Sequence, residues 1–186
     1  MSTVVSVALA ASSLLAQAPV PRKAPELAIT KPSGEQILLS SFKGKVVVME
    51  VMFVNSPHCV SLLEMLNQLQ GELGARGFQA VAAAFGAHSD QALVGHVADH
   101  LKLNFPFGSA TSTDVDSFLG RTGNAMLKIP QMVVIDRKGV IRATTASRGD
   151  LSLEDEATLR AFVDPLLNEK VAAAHTMPTG KKDGQL

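Results

Sequence analysis

A run of apolar and β-branched residues from Val46 to Val54 constrains the fold of this chain more than any other feature. A continuous run of this kind is typical of a strand that is buried on both faces. Asn55 or Ser56 can cap a helix, and Pro57 suits a first helical turn because its missing N–H would have no partner there. The sequence therefore predicts a buried strand that leads directly into a helix.

Two side chains in this region can carry chemistry. Cys59 is the only cysteine of the chain, and it falls in the first turn of the expected helix, where unpaired N–H groups and the helix dipole favour a thiolate. Glu50 is the one carboxylate inside the apolar strand, where burial would raise its pKa. His58 stands beside the cysteine and either stabilises a neighbouring thiolate, contacts a substrate, or acts only as an exposed spacer. We take the thiol and the acid as the candidate site.

The composition limits the classes of function. A chain of 186 residues with 46% apolar residues can fill the core of one domain. Seventeen basic and seventeen acidic residues balance, and no basic stripe is present, so nucleic acid is not an expected partner. A single cysteine excludes a disulfide within the chain.

The first 25 residues have two distinct compositions. The apolar run from Val4 to Leu15 has the length of a signal-peptide core and is too short to span a bilayer. Ala16-Gln17-Ala18 has the form of a signal-peptidase cleavage site, although no positive charge precedes the apolar run. We therefore expect residues 1–18 to be a signal peptide, the protein to be exported to the periplasm or the extracellular space, and no stable membrane insertion. The proline-rich residues 19–25 read as an extended linker.

The remaining pattern alternates between strands and helices within residues 26–169. A strand–helix–strand–helix order, followed by a hairpin and a final helix, predicts an α/β fold with a mixed sheet. Residues 170–186 are polar and are expected to be disordered. The expected elements are a hairpin at 27–30 and 35–38, strands at 46–54 and 78–85, a short extended piece at 105–107, and a second hairpin at 132–135 and 140–143. The expected helices are one that begins at Pro57 and is terminated by Gly74 and Gly77, and three more at 89–103, 114–119 and 153–167.

Four motifs occur in an order that resembles the thioredoxin-like proteins of the TlpA/ResA type, which are often grouped with the AhpC/TSA redoxins. The motifs are Ala24-Pro25-Glu26-Leu27, the stretch from Leu39 to Val48, Pro57-His58-Cys59, and the stretch from Lys128 to Ile141. The resemblance covers residues 24 to 168 and implies a thioredoxin-like fold with an N-terminal β-hairpin extension. It also implies a Cys-Pro-His-Cys site whose first cysteine is here Ser56, a buried acid at Glu50, and a cis Ile129-Pro130 bond facing the site.

Because Ser56 stands where the attacking cysteine would be, turnover by two cysteines is excluded: a hydroxyl is not redox-active, and a mixed disulfide needs a second thiol to resolve it. Three interpretations remain. In the first, the protein is a one-cysteine thiol peroxidase of peroxiredoxin type acting through Cys59. In the second, it is a partner-binding protein without redox activity that uses a groove at Ile129 and Pro130, and Cys59 is a buried core thiol. In the third, it is a thiol–disulfide oxidoreductase in which Ser56 is a variant or engineered position.

The expected partners are protein thiols and disulfides or an external reductant, and we expect no cofactor. His96 and His100 lie four residues apart on one helix, a spacing that can bind a metal. Without a third ligand in place, we interpret this pair as part of an ordinary helix face and expect no metal site.

Overall fold

The computed structural model describes residues 17–121, 126–145 and 152–169. The described residues form eight strands and four α-helices. The strands are β1 (Arg22–Lys23), β2 (Ala28–Thr30), β3 (Gln36–Leu38), β4 (Val46–Met52), β5 (Phe78–Phe85), β6 (Phe107–Ala110), β7 (Gln131–Ile135) and β8 (Val140–Thr144). The helices are α1 (Pro57–Leu73), α2 (Gln91–Leu101), α3 (Ser112–Leu119) and α4 (Glu156–Asn168). None of the described helices is both long enough and apolar enough to cross a membrane.

All eight strands join one mixed sheet in the order β1-β8-β7-β4-β5-β6-β2-β3. Strand β4 lies at its centre, parallel to β5 and antiparallel to β7. Every residue of β4 and β5 is buried, which explains why these two segments read as unbroken apolar runs. The predicted α/β architecture with a mixed sheet is confirmed.

The alternation of side chains along β4 divides the core into two layers. Val46, Val48 and Met52 pack with α1, α2 and α4 on one face of the sheet. Val47 and Met49 pack with α3 on the other face. Because side chains alternate with a period of two, Glu50 points to the same face as Val48 and Met52, which is the face covered by α1.

The segment expected to be a linker is partly a strand. Arg22 and Lys23 pair antiparallel with Ile141 and Val140 at one edge of the sheet, and a guanidinium nitrogen of Arg22 donates to the carbonyl oxygen of Phe118 at 2.6 Å. The prolines prevent a helix here, but they do not prevent an edge strand, because an edge strand can leave N–H positions unused. Arg22 and Lys23 therefore belong to the sheet of the domain and not to a linker.

Several element ends differ from the sequence prediction. Strand β4 ends at Met52 rather than Val54, and β6 occupies Phe107–Ala110 rather than residues 105–107. Helix α3 begins at Ser112 because the Thr111 hydroxyl caps it, accepting from the N–H of Asp114 at 3.1 Å. Helix α4 begins at Glu156, capped by the preceding aspartate. The predicted disordered tail and residues 1–16 of the predicted signal peptide lie outside the described residues.

Candidate active site

The site begins where β4 gives way to α1. Of the two candidate capping residues, Ser56 is the N-cap, with an extended backbone and a hydroxyl that accepts from the N–H of Cys59 at 3.4 Å. Pro57 is the first helical residue, as the sequence predicts. The position that would hold an attacking sulfur in the resembled family is thus occupied by a hydroxyl that stabilises the helix end.

The thiol of Cys59 is completely buried, with none of its surface exposed. Burial has the largest effect and raises its pKa. Hydrogen bonding from Ser56 and from the Phe53 backbone lowers this pKa in part, and the charges of Glu50 and Glu154 raise it by smaller amounts. Our expectation that the helix start would favour a thiolate is therefore wrong for the resting protein. The effect of the helix end is outweighed because desolvation, the largest contribution, disfavours negative charge on sulfur.

Glu50 is the second buried group of the site, and its carboxyl is also fully shielded from solvent. Burial raises the pKa of this carboxyl well above its usual range, as the sequence predicts. The negative charge of Glu154 raises it further. The thiol of Cys59 lies near enough to the Glu50 carboxyl to lower the pKa of Glu50 to some degree. The contact between the two groups lacks hydrogen-bond geometry, however, and neither carboxyl oxygen has a hydrogen-bond partner among the described residues. At this position the carboxyl is therefore favoured in its neutral form.

A second acid, Glu154, joins the site from the segment before α4. Its Oε2 atom lies 2.9 Å from Nε2 of His58, whose side chain is 61% exposed, whereas that of Glu154 is 24% exposed. Sequence reasoning did not find this residue because Glu154 lies about 100 positions after the thiol in the chain, inside a stretch predicted as helix. The pair shows that His58 is more than a spacer, since it holds α1 against the α4 segment.

Ile129 and Pro130 lie directly before β7, on the strand that pairs with β4. Their peptide bond is cis, as the resemblance implies, with Pro130 buried and Ile129 half-buried against both layers of the core. Val51 pairs with Gln131, so one further step of the same register places Pro130 beside Met52, at the end of β4 nearest to α1. The antiparallel pairing thus brings Pro130 to the carboxyl end of β4, from which the site is built.

The two histidines of α2 lie next to each other. The rings of His96 and His100 are stacked with their centroids 6.2 Å apart. Over the part of the chain that the structure describes, no three His, Cys, Asp or Glu side chains converge in a group that could hold a metal ion.

Comparison with known proteins places this site in a family. The sequence model of the AhpC/TSA family matches residues 20–144, which is more than half of the chain. The chain belongs to the AhpC/TSA family. The match in this AhpC/TSA chain includes β4, the Ser56 cap, Cys59 and Pro130 and ends at the last residue of β8.

Solved structures similar to this AhpC/TSA chain share its fold. A thiol:disulfide interchange protein of the thioredoxin family from Chlorobium tepidum TLS is 23% identical, with a TM-score of 0.66 over 81% of this chain and 99% of that one. A putative protein disulfide isomerase from Bacteroides thetaiotaomicron is 22% identical, with a TM-score of 0.63 over 81% of this chain and 91% of that one. A putative thiol:disulfide interchange protein DsbE from Chlorobium tepidum is 24% identical, with a TM-score of 0.55 over 67% of this chain and 82% of that one. At these identities the likeness shows a thioredoxin-like fold, which confirms the predicted fold class.

Proposed function

We propose that this protein is a thiol–disulfide exchange protein of TlpA type that works with one thiol. The observation that carries the proposal is the pairing of Cys59 with Glu50, a buried carboxyl without a hydrogen-bond partner in the described structure. A buried cysteine alone is common in protein cores, but a buried unpaired acid is costly and tends to mark a functional position. An acid next to the only thiol is the arrangement that proton transfer from sulfur requires.

The chemistry follows from these two groups. In its charged form, the Glu50 carboxylate takes the proton of the Cys59 thiol, and the resulting thiolate attacks one sulfur of a substrate disulfide. One sulfur–sulfur bond forms at Cys59, the substrate bond breaks, and the second substrate sulfur leaves as a thiolate. An external thiol must then release the mixed disulfide because no second cysteine is present in the chain.

Substrates of this reaction are polypeptides that carry disulfides or thiols. Their backbone would lie at the groove beside Ile129 and Pro130, where β7 begins next to the start of α1. Because Cys59 has no exposed surface, the first turn of α1 must open for a substrate sulfur to reach it. The exposed pair of His58 and Glu154 is the contact that such an opening would break.

The peroxidase interpretation has less support. A peroxidatic cysteine reacts as a thiolate that peroxide can reach, whereas the thiol of Cys59 is buried and its pKa is raised. The interpretation as a binding protein without redox activity remains the outcome that a failed exchange experiment would support.

The exchange function is tested with oxidised glutathione and the full chain. We expect mass spectrometry to show a glutathione adduct on Cys59 that forms faster than the protein unfolds globally, and that reduced glutathione removes. Glu50→Gln should slow the formation of the adduct, most clearly near neutral pH, because the amide cannot accept the thiol proton. Cys59→Ser is the control that should form no adduct. If the adduct forms only at the rate of global unfolding, the exchange function is ruled out and binding remains.

We also propose that the protein is exported to the periplasm or the extracellular space. The proposal rests on the apolar run from Val4 to Leu15 and on the Ala16-Gln17-Ala18 sequence that follows it. Disulfide exchange on polypeptides suits these compartments, where disulfides persist.

A further inference from the structure

A cavity with a volume of about 430 Å³ lies at the amino end of β4. Its floor is apolar and includes Leu39, Val47 and Ile135, all of which are buried. Its rim carries four exposed lysines, Lys23, Lys43, Lys45 and Lys138. We call it the lysine-rimmed cavity. Its size is in the range of pockets that hold small organic ligands, which are roughly 300 to 1,000 Å³.

Both carboxylates at the cavity are engaged by other groups. Glu26 accepts from the backbone N–H groups of Leu27 and Ser40, each at 3.1 Å. Asp136 accepts from the Lys138 backbone N–H at 2.9 Å and is paired with the guanidinium of Arg142 at 3.0 Å. The acids therefore contact the backbone and an arginine, and among the described residues neither forms an ion pair with a lysine of the rim.

Three of the four lysine side chains of the rim are available to a ligand. Lys45 donates to the side-chain oxygen of Gln79 at 2.8 Å, which fixes one ammonium group at the rim. Lys23, Lys43 and Lys138 have no side-chain ion pair with any residue that the structure describes. The chain as a whole has 17 basic and 17 acidic residues, so four lysines against two engaged acids are a local concentration of positive charge.

We propose that the lysine-rimmed cavity binds a small amphipathic carboxylate, with its apolar body on the floor and its charged group between the lysines. An apolar floor removes hydrocarbon from water, and a rim of one charge sign selects ligands of the opposite sign. Neither feature alone specifies this class: an uncharged ligand would leave the rim unused, and a small inorganic anion would leave the floor unused.

The proposed ligand site is separate from the exchange site. Cys59 follows the carboxyl end of β4, and the cavity lies at its amino end, so the seven residues of the strand separate the two by roughly 20 Å at about 3.3 Å per residue. Ligand binding can therefore be measured without any reaction at the thiol.

Decanoate and decanol, which differ in charge but share a ten-carbon chain, test the proposal by calorimetric titration of the full chain. We expect decanoate to bind about tenfold more tightly than decanol, and its affinity to fall with added salt. We expect the amide NMR signals of Val47 and Ile135 to shift on addition of decanoate. Equal binding of the two ligands, no binding of decanoate, or shifts confined to residues away from the cavity would overturn the proposal.

Charge variants give a matched control. Lys43→Gln combined with Lys138→Gln removes two rim charges from exposed positions and should weaken decanoate binding by about tenfold, if each ammonium contributes about 0.7 kcal/mol. Lys102→Gln combined with Lys128→Gln removes the same charge from exposed positions outside the cavity. This control should change the affinity by less than about twofold. Equal losses in both double variants would show an effect of net charge and would contradict a site at the cavity.

Discussion

Nε2 of His58 lies 2.9 Å from Oε2 of Glu154, which joins the first turn of α1 to the segment before α4. The same glutamate raises the pKa of both Glu50 and Cys59 through its negative charge. The carboxylate of this half-exposed contact thus acts electrostatically on a buried acid and a buried thiol.

Replacement of Glu154 should make the thiol of Cys59 more acidic. Glu154→Gln removes a like charge that disfavours the thiolate, so the pKa of Cys59 should fall. The measurement is the pH dependence of the Cys59 Cβ chemical shift. Glu64→Gln, at an exposed position further along α1, is the matched control and should leave the titration unchanged. A titration that moves equally in both variants would contradict a specific effect of Glu154.

Introduction of a second cysteine should create disulfide reductase activity. Ser56→Cys places two thiols three residues apart, one helical turn from each other, so that the second can resolve the mixed disulfide formed by the first. We expect the variant to reduce insulin, whereas the unmodified chain does not turn over. Glu50→Gln on this background should slow the reaction.

The control for this experiment is Ser56→Cys combined with Cys59→Ser, which should trap the substrate without turnover. If Ser56→Cys folds correctly, as judged by its circular dichroism, and stays inactive towards insulin, then the site cannot be completed by a thiol at this position. That result would count against the TlpA-type assignment.

The buried acid should make the protein less stable as the pH rises. The pKa of Glu50 in the folded protein is raised above its ordinary value of 4.5, so the folded state holds a proton that the unfolded state releases. Its contribution to stability is complete below about pH 4.5 and is lost as the pH rises towards the folded pKa, with a slope of at most about 1.4 kcal/mol per pH unit. Urea unfolding between pH 5 and pH 8, a range of roughly three pH units, measures this loss.

Glu50→Gln should remove that part of the pH dependence because the amide does not titrate. Glu64→Gln should retain it. The raised pKa would be contradicted if the unfolding free energy of the unmodified chain stayed constant or increased between pH 5 and pH 8 and did not differ from that of Glu50→Gln.

Loss of the helix cap should cost little stability. Ser56→Ala removes a hydroxyl that accepts from the Cys59 N–H at the long distance of 3.4 Å, so we expect a loss of about 0.5 kcal/mol, at the low end of the range for such caps. Asp155 caps α4 with a shorter bond of 2.8 Å to the Thr158 N–H, and Asp155→Ala should therefore cost more. Denaturant unfolding of the two variants gives the comparison, and the reverse order would contradict it.

Export should leave a processed amino terminus. If residues 1–18 are a signal peptide, protein from the native source begins at Pro19, and intact-mass spectrometry measures this directly. Cleavage there would remove the hydrogen bond from the Ala18 N–H to the Gly120 carbonyl oxygen, which is 2.8 Å long. A mature protein that retains Met1 or Ser2 would contradict export.

Much of the fold could be predicted because local patterns dominate it. The strands β4 and β5 are buried on both faces, so their composition is continuous and apolar, and the helix after β4 has both a cap and a proline at its start. The short strand β1 was missed because its pairing with β8 joins residues more than 100 positions apart, and no local pattern records such a contact.

The residue types of the site were also evident in the sequence, but the state of its thiol was not. One cysteine, one acid in an apolar strand and one serine at the helix start were sufficient to exclude turnover by two cysteines. Position at a helix start favoured a thiolate, whereas the tertiary structure buries Cys59 and brings Glu154 to it from the far end of the chain. Desolvation and charge depend on neighbours in space, so only the folded structure decided that the pKa of this thiol and that of the acid beside it are both raised.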